Sequence, residues 1–172
     1  LGQNQDLSDA GQDALILRCL NLGINLFDTS ENYGRSEEIL GRALAGVSRD
    51  SYYLCTKSWY EGEDGRPDPA KDLAEALDRS LARLRTEYVD IFMLHGLLPS
   101  QNDEAVDRFY PEMQRAKEAG KIRFIGFSER FHEDPAHQAA ERAVRNDAEQ
   151  WDVIMLKYGI LNQAAAEVAL PL

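Results

Sequence analysis

Cysteine is scarce in this chain of 172 residues: Cys19 and Cys55 are the only two. One falls in a predicted helix and the other in mid-strand, so neither a disulfide framework nor a metal-ligand spacing can be read, and a reducing, cytoplasmic setting is expected. Positive charge is also short, 19 Lys and Arg against 30 Asp and Glu for a net −11. A field of that sign repels nucleic-acid phosphates and anionic bilayers, so neither is expected as a partner. No apolar run approaches the roughly 20 residues that cross a bilayer. The opening Leu1-Gly2-Gln3-Asn4-Gln5 lacks the basic and apolar regions of a signal peptide. Linkers and low-complexity tracts are missing too. Acidic residues are instead interspersed along helical segments such as Glu133 to Glu149, the pattern of solvated faces.

At 44% hydrophobic, the chain can build one sizeable core and is too short for two ordinary domains, so residues 1–172 are expected to form one domain or part of one. Ser8 or Asp9 can cap a first helix with Ala14, Leu17 and Leu20 on one face, ending near Leu22-Gly23. A strand over Ile24 to Asp28 follows, then a helix opened by the carboxylates of Glu37 and Glu38 and stopped near Gly46. Tyr52 to Lys57 is β-rich, and Asp68-Pro69, after a polar loop, reads as N-cap and first residue of a helix. That helix carries Leu73, Ala76, Leu77, Ser80, Leu81 and Leu84 on one face. Val89 to His95 is almost wholly apolar, as in a strand covered on both sides. The remaining expectations are a helix with Val106, Phe109, Met113 and Ala116, a strand over Ile122 to Ser128, a helix capped at Asp134-Pro135, a strand over Trp151 to Tyr158, and a helix begun over Gln163 to Leu170.

Strand and helix thus alternate at roughly 30 residues, the size of a βαβ unit. An open doubly wound sheet and a closed barrel of eight units both fit that rhythm. The open sheet needs a phosphate-cradling GxGxxG turn, which does not occur. The barrel is favoured by parity, because residues two apart on a strand share a face. Leu26 and Asp28, Cys55 and Lys57, Met93 and His95, Gly126 and Ser128, and Met155 and Lys157 then all point inward. Each pair is an apolar or small interior residue followed by a polar one at the carboxyl end, which is how such a barrel separates its packed interior from a reactive rim.

Three strands therefore end on Asp28, Lys57 and His95, with Tyr33 on the loop after the first. In the context of Phe27-Asp28-Thr29, Glu31-Asn32-Tyr33-Gly34, Thr56-Lys57, Leu94-His95 and Gly120-Lys121-Ile122-Arg123, this set resembles the catalytic tetrad of the aldo-keto reductases. The resemblance implies a parallel (β/α)8 TIM barrel of which the second to sixth strands are visible. On that reading the chain is a fragment, the ordered part of a longer chain, or half of an assembly closed by another copy. It implies a reductase that converts an aldehyde or ketone to an alcohol, or the reverse, using NADPH or NADH. Tyr33 is the implied acid-base group, Lys57 favours its ionisation, Asp28 holds Lys57, and His95 hydrogen-bonds the substrate oxygen.

The resemblance also places the nicotinamide carboxamide at Ser128, Glu129 and Met155, where the family's usual asparagine has become Glu129 and its usual glutamine Met155. Glu129 is otherwise a solvated rim charge. Lys157 would meet a substrate carboxylate or cofactor phosphate, or else pair with Glu129. Trp59 and Tyr60 would wall a substrate pocket or cover the barrel mouth. His132 and His137, five apart, lack the i, i+4 spacing of a helical metal site, and no metal is expected. Two other readings remain: a non-catalytic protein of similar fold that binds a nucleotide or partner, and an unrelated barrel lyase or hydrolase using Asp28 and His95.

Overall fold

The computed structural model describes residues 7–171; the Leu1-to-Gln5 stretch lies outside them. Its centre is a five-stranded, wholly parallel sheet in the order β1 (Leu26–Asp28), β2 (Tyr53–Ser58), β3 (Val89–Leu97), β4 (Ile122–Glu129) and β5 (Val153–Met155). Chain order and spatial order coincide, as in consecutive units of a (β/α)8 barrel, and the sheet curls into half of one. The helices are α1 (Asp9–Asn21), α2 (Ser36–Ala43), α3 (Leu73–Leu84), α4 (Asn102–Glu104), α5 (Tyr110–Glu118), α6 (Gln138–Asn146) and α7 (Ala165–Val168). The core lies between the helices and the outward side chains of the strands, among them Leu54, Phe92, Leu94, Ile125 and Phe127.

α3 follows its sequence pattern closely. All six of its periodic positions are buried, and Arg85, in the left-handed conformation, ends it. Its N-cap, however, is Asp72, whose carboxylate accepts from Glu75 N at 2.8 Å; Asp68 forms a turn instead, accepting from Ala70 N. Asp134 does cap α6, from one turn further out than expected, through Gln138 N and Ala139 N. α1 departs from expectation as well. Ile16 is buried while Ala14 and Leu17 are exposed, because α1 packs mainly on α2 and needs only a narrow stripe. The helix expected over Val106 to Ala116 is interrupted by a π turn at Ala105–Phe109. Pro111, just beyond, has no N–H to give the preceding turn.

β5 is much shorter than Trp151 to Tyr158. Among the described residues it pairs only with β4, and the ladder stops at Ser128↔Met155; Trp151 instead packs edge-on against Phe127 in the core. The final helix is likewise only Ala165–Val168. Two glycines permit close packing: a Cβ on Gly41 would lie 2.3 Å from Arg83 O of α3, and one on Gly126 2.3 Å from Val153 O of β5.

The inner face of the half-barrel is open. Leu26 is 54% exposed and Phe124 46%, whereas Cys55 and Met93, in the middle strands, are buried. No helix among the described residues is long and apolar enough to cross a membrane.

Candidate active site

The loop between β1 and α2 is strapped across the end of β2. Thr29 N donates to Cys55 O at 2.8 Å and Glu31 N to Lys57 O at 3.1 Å, carrying Tyr33 over the ends of β2 and β3. Gly34, at φ +57°, then turns the chain into α2.

Lys57 is only 1% exposed, which excludes a surface role. Its Nζ donates to both oxygens of Asp28, at 2.6 and 2.7 Å, and to Thr29 O at 2.9 Å. All three ammonium protons are thereby placed. The charge nevertheless sits 5.2 Å from the centre of the Tyr33 ring, so it acts on the phenol as a fixed positive field rather than as a hydrogen-bond donor.

His95 is held between two hydroxyls, Ser30 Oγ at 3.0 Å from Nδ1 and Tyr33 Oη at 3.4 Å from Nε2. Burial, reinforced by the nearby Lys57 ammonium, lowers its pKa to about 4, so the imidazole is neutral at pH 7. The tautomer is linked to the direction of the Ser30 hydroxyl. Its single proton has two acceptors in reach, His95 Nδ1 and Lys57 O at 3.1 Å. On Nδ1 it leaves Nε2–H free to donate; on Lys57 O it makes Nε2 an acceptor for the Tyr33 proton.

These groups border a cavity of about 270 Å³ at the carboxyl ends of the strands, lined by Tyr33, Lys57, Trp59, His95, Ser128 and Met155 together with the last residue of β4 and the 130–133 loop after it. Asp28 stands behind Lys57, on the neighbouring concave face with Leu26, Cys55 and Met93. Trp59 packs edge-on against His95, with ring centres 5.6 Å apart, and the Arg130 guanidinium lies over its ring, 5.0 Å from the centre. Ser128 Oγ accepts from Gly96 N at 3.0 Å, which leaves its own proton for a ligand. Met155 adds apolar surface.

Tyr60 does not wall the cavity. It is wholly buried beside Phe109, and its hydroxyl donates to Gln101 Oε1 at 2.6 Å. Glu129 is no solvated rim charge. It is 2% exposed, with one oxygen 2.6 Å from His137 Nδ1 and the other accepting from Ala140 N. Parity explains this: Glu129 follows inward Ser128 and so faces the helix layer. Burial raises its pKa, partly offset by His137. Its carboxylate has no bond to Lys157, which is exposed beyond the end of β5. His137 is thus a buried partner of Glu129, while His132 borders the cavity.

Ser30, Glu31 and Arg130 carry side-chain roles that strand-end parity cannot reveal, because all three act from loops or rim positions. Their only sequence signal is proximity to Tyr33 or Ser128.

The half-barrel with Tyr, Lys, Asp and His at its rim defines a class. Residues 1–170 match the model of the aldo/keto reductase family, and the chain belongs to that family. It is 37% identical over 119 residues to L-galactose dehydrogenase of Arabidopsis thaliana, a match covering 67% of this chain and 37% of that protein. A holo-form aldo-keto reductase from Bacillus halodurans superposes with a TM-score of 0.74 at 28% identity, covering 93% of this chain and 52% of that one. An aldo/keto reductase from Klebsiella pneumoniae in complex with NADP and acetate gives 0.70 at 27%, covering 98% and 56%. The chain therefore spans about half or less of the length of these relatives.

Proposed function

We propose that this chain carries the proton-handling half of an NAD(P)H-dependent oxidoreductase that reduces a small aldehyde or ketone to an alcohol, or runs the reverse. One observation carries the reading: the hydroxyl of Tyr33, the ammonium of Lys57 and the imidazole of His95 converge on one cavity, with Asp28 bonded to Lys57. The residues present fit a nicotinamide in part. Ser128 keeps a free hydroxyl proton for a carboxamide oxygen, and Met155 offers apolar surface for a ring, but the Glu129 carboxylate is committed to α6 and does not contribute.

A bound nicotinamide supplies the hydride that reduces a carbonyl carbon. The protein's task is the oxygen. Tyr33 Oη donates a proton to the nascent alkoxide, and the Lys57 field stabilises the phenolate left behind. Asp28 balances the Lys57 charge and fixes its position. With the Ser30 proton on Nδ1, His95 Nε2–H donates to the same substrate oxygen and orients it. NADP and NAD are both retained as cofactors; the Klebsiella complex supports the former. A single domain that is part of such a barrel, a cytoplasmic setting and homo-oligomerisation complete the reading.

Replacing Tyr33 with Phe is the direct test. Turnover of an aldehyde with NADPH is expected to fall by about 10²–10⁴-fold, with NADPH affinity kept within a few-fold. Unchanged turnover would overturn the proton-donor assignment.

A further inference from the structure

Glu31 stands two residues before Tyr33, and its side chain is largely buried although it touches neither Lys57 nor His95 through a hydrogen bond. One oxygen, Oε1, accepts from Ser58 Oγ at 2.6 Å, from Trp59 N at 2.9 Å and from Lys71 Nζ at 2.9 Å. These donors belong to two places: the end of β2 with the residue that follows it, and the far end of the loop that leads to α3. Its backbone N–H is bonded to Lys57 O.

We propose that Glu31 is a positioning residue, a latch that locks the Tyr33 loop to Trp59 and clips the 59–72 loop shut beside the candidate active site. The proposal rests on the tetrad reading for its catalytic consequence but not for its geometry. Trp59 has no hydrogen bond to His95; its ring is aimed there by the backbone that Glu31 grips. Lys71 O and Asp68 O are in turn held by the Arg108 guanidinium, so Lys71 reaches Glu31 from an anchored base. Without the carboxylate, Trp59 N and Lys71 Nζ lose their acceptor together, and the two walls of the cavity are no longer tied to each other. Gln in place of Glu keeps a carbonyl oxygen for Ser58 and Trp59 N and gives up only the ion pair.

The test compares Glu31→Ala and Glu31→Gln in a Trp151→Phe background, where Trp59 is the remaining tryptophan. Three readouts are taken: acrylamide quenching of Trp59, thermal melting, and steady-state reduction of an aldehyde by NADPH. Expected for E31A are Trp59 quenching raised at least about twofold and kcat lowered about tenfold with KM changed less. E31Q is expected to stay close to the parent in quenching and within about threefold in kcat. Quenching unchanged in E31A, or E31Q as disturbed as E31A, overturns the latch. Should E31A fail to melt cooperatively, Ser58→Ala with Lys71→Met removes two of the three donors and is judged by the same quenching criterion. Absence of aldehyde reduction by the parent protein counts against the proposed activity alone, since the quenching comparison still decides the latch.

Discussion

At the scale of single residues, the site depends on how few protons are left unassigned. Lys57 has spent all three on Asp28 and Thr29 O, so its influence on Tyr33 is a field effect. His95 offers a test that needs no substrate. Its folded pKa of about 4 lies below the ordinary value of 6.5, so the unfolded chain binds more protons between those limits. The neutral imidazole's contribution to stability is therefore complete above pH 6.5 and is lost progressively as pH falls toward 4. Denaturant unfolding of His95→Gln is expected to show a shallower decline across that window than the parent; equal slopes would mean that His95 does not titrate there. The inward placement of Asp28, Lys57 and His95 was legible in the sequence by parity, although only Asp28 is a last strand residue; β2 runs on to Ser58 and β3 to Leu97. Glu129 was legible by the same parity, yet the motif placed it on the rim and the fold turned it to α6. Tyr60 follows Trp59, but beyond the strand end parity no longer applies, and the buried acceptor Gln101 draws its ring into the core.

At the scale of elements, two contacts outside the site hold the strands in register. Near the amino ends, Asp90, 1% exposed, accepts from Arg49 at 2.5 Å, Arg123 at 2.9 Å and Leu54 N at 2.9 Å, joining β2, β3 and β4. Asp90→Ala leaves a buried backbone N–H without its acceptor and the largely buried Arg49 without its counter-charge, holding only the carbonyls of Tyr52 and Tyr88. Urea unfolding is expected to show a loss of about 3 kcal/mol. On the other side of the sheet, Gly126 lets β4 and β5 approach. Gly126→Ala forces a methyl group onto Val153 O, so a loss of about 1–3 kcal/mol is expected, read as a lower melting temperature. Helix faces such as that of α3 were readable because one periodic stripe meets one core. The β5 limits and the π turn were not, since the first depends on having a neighbour on only one side and the second on the missing N–H of Pro111.

At the scale of these 172 residues together, the open concave face and the net charge of −11 oppose each other. Exposed Leu26, Tyr53 and Phe124 favour burial against another surface, while like-charged copies repel over a distance that salt shortens. Raising the ionic strength is accordingly expected to increase self-association in sedimentation experiments. Leu26→Lys with Phe124→Lys should reduce it, along with the binding of a dye that reports apolar surface. Association independent of both salt and these substitutions would place any contact elsewhere on the protein.

The sequence by itself determined the alternation of strand and helix, the parallel barrel class and the inward parity of Asp28, Lys57 and His95. These follow from local periodicity, the period of two along a strand and residues adjacent in the chain. Only the tertiary structure decided that Tyr33 and Ser30 meet the two nitrogens of His95, that Glu31 gathers donors from two segments, that Glu129 finds its partner in His137, and that Tyr60 turns into the core. Those outcomes depend on which loops cross which strand ends and where a buried polar atom can find a partner, and both are fixed only when the units pack together.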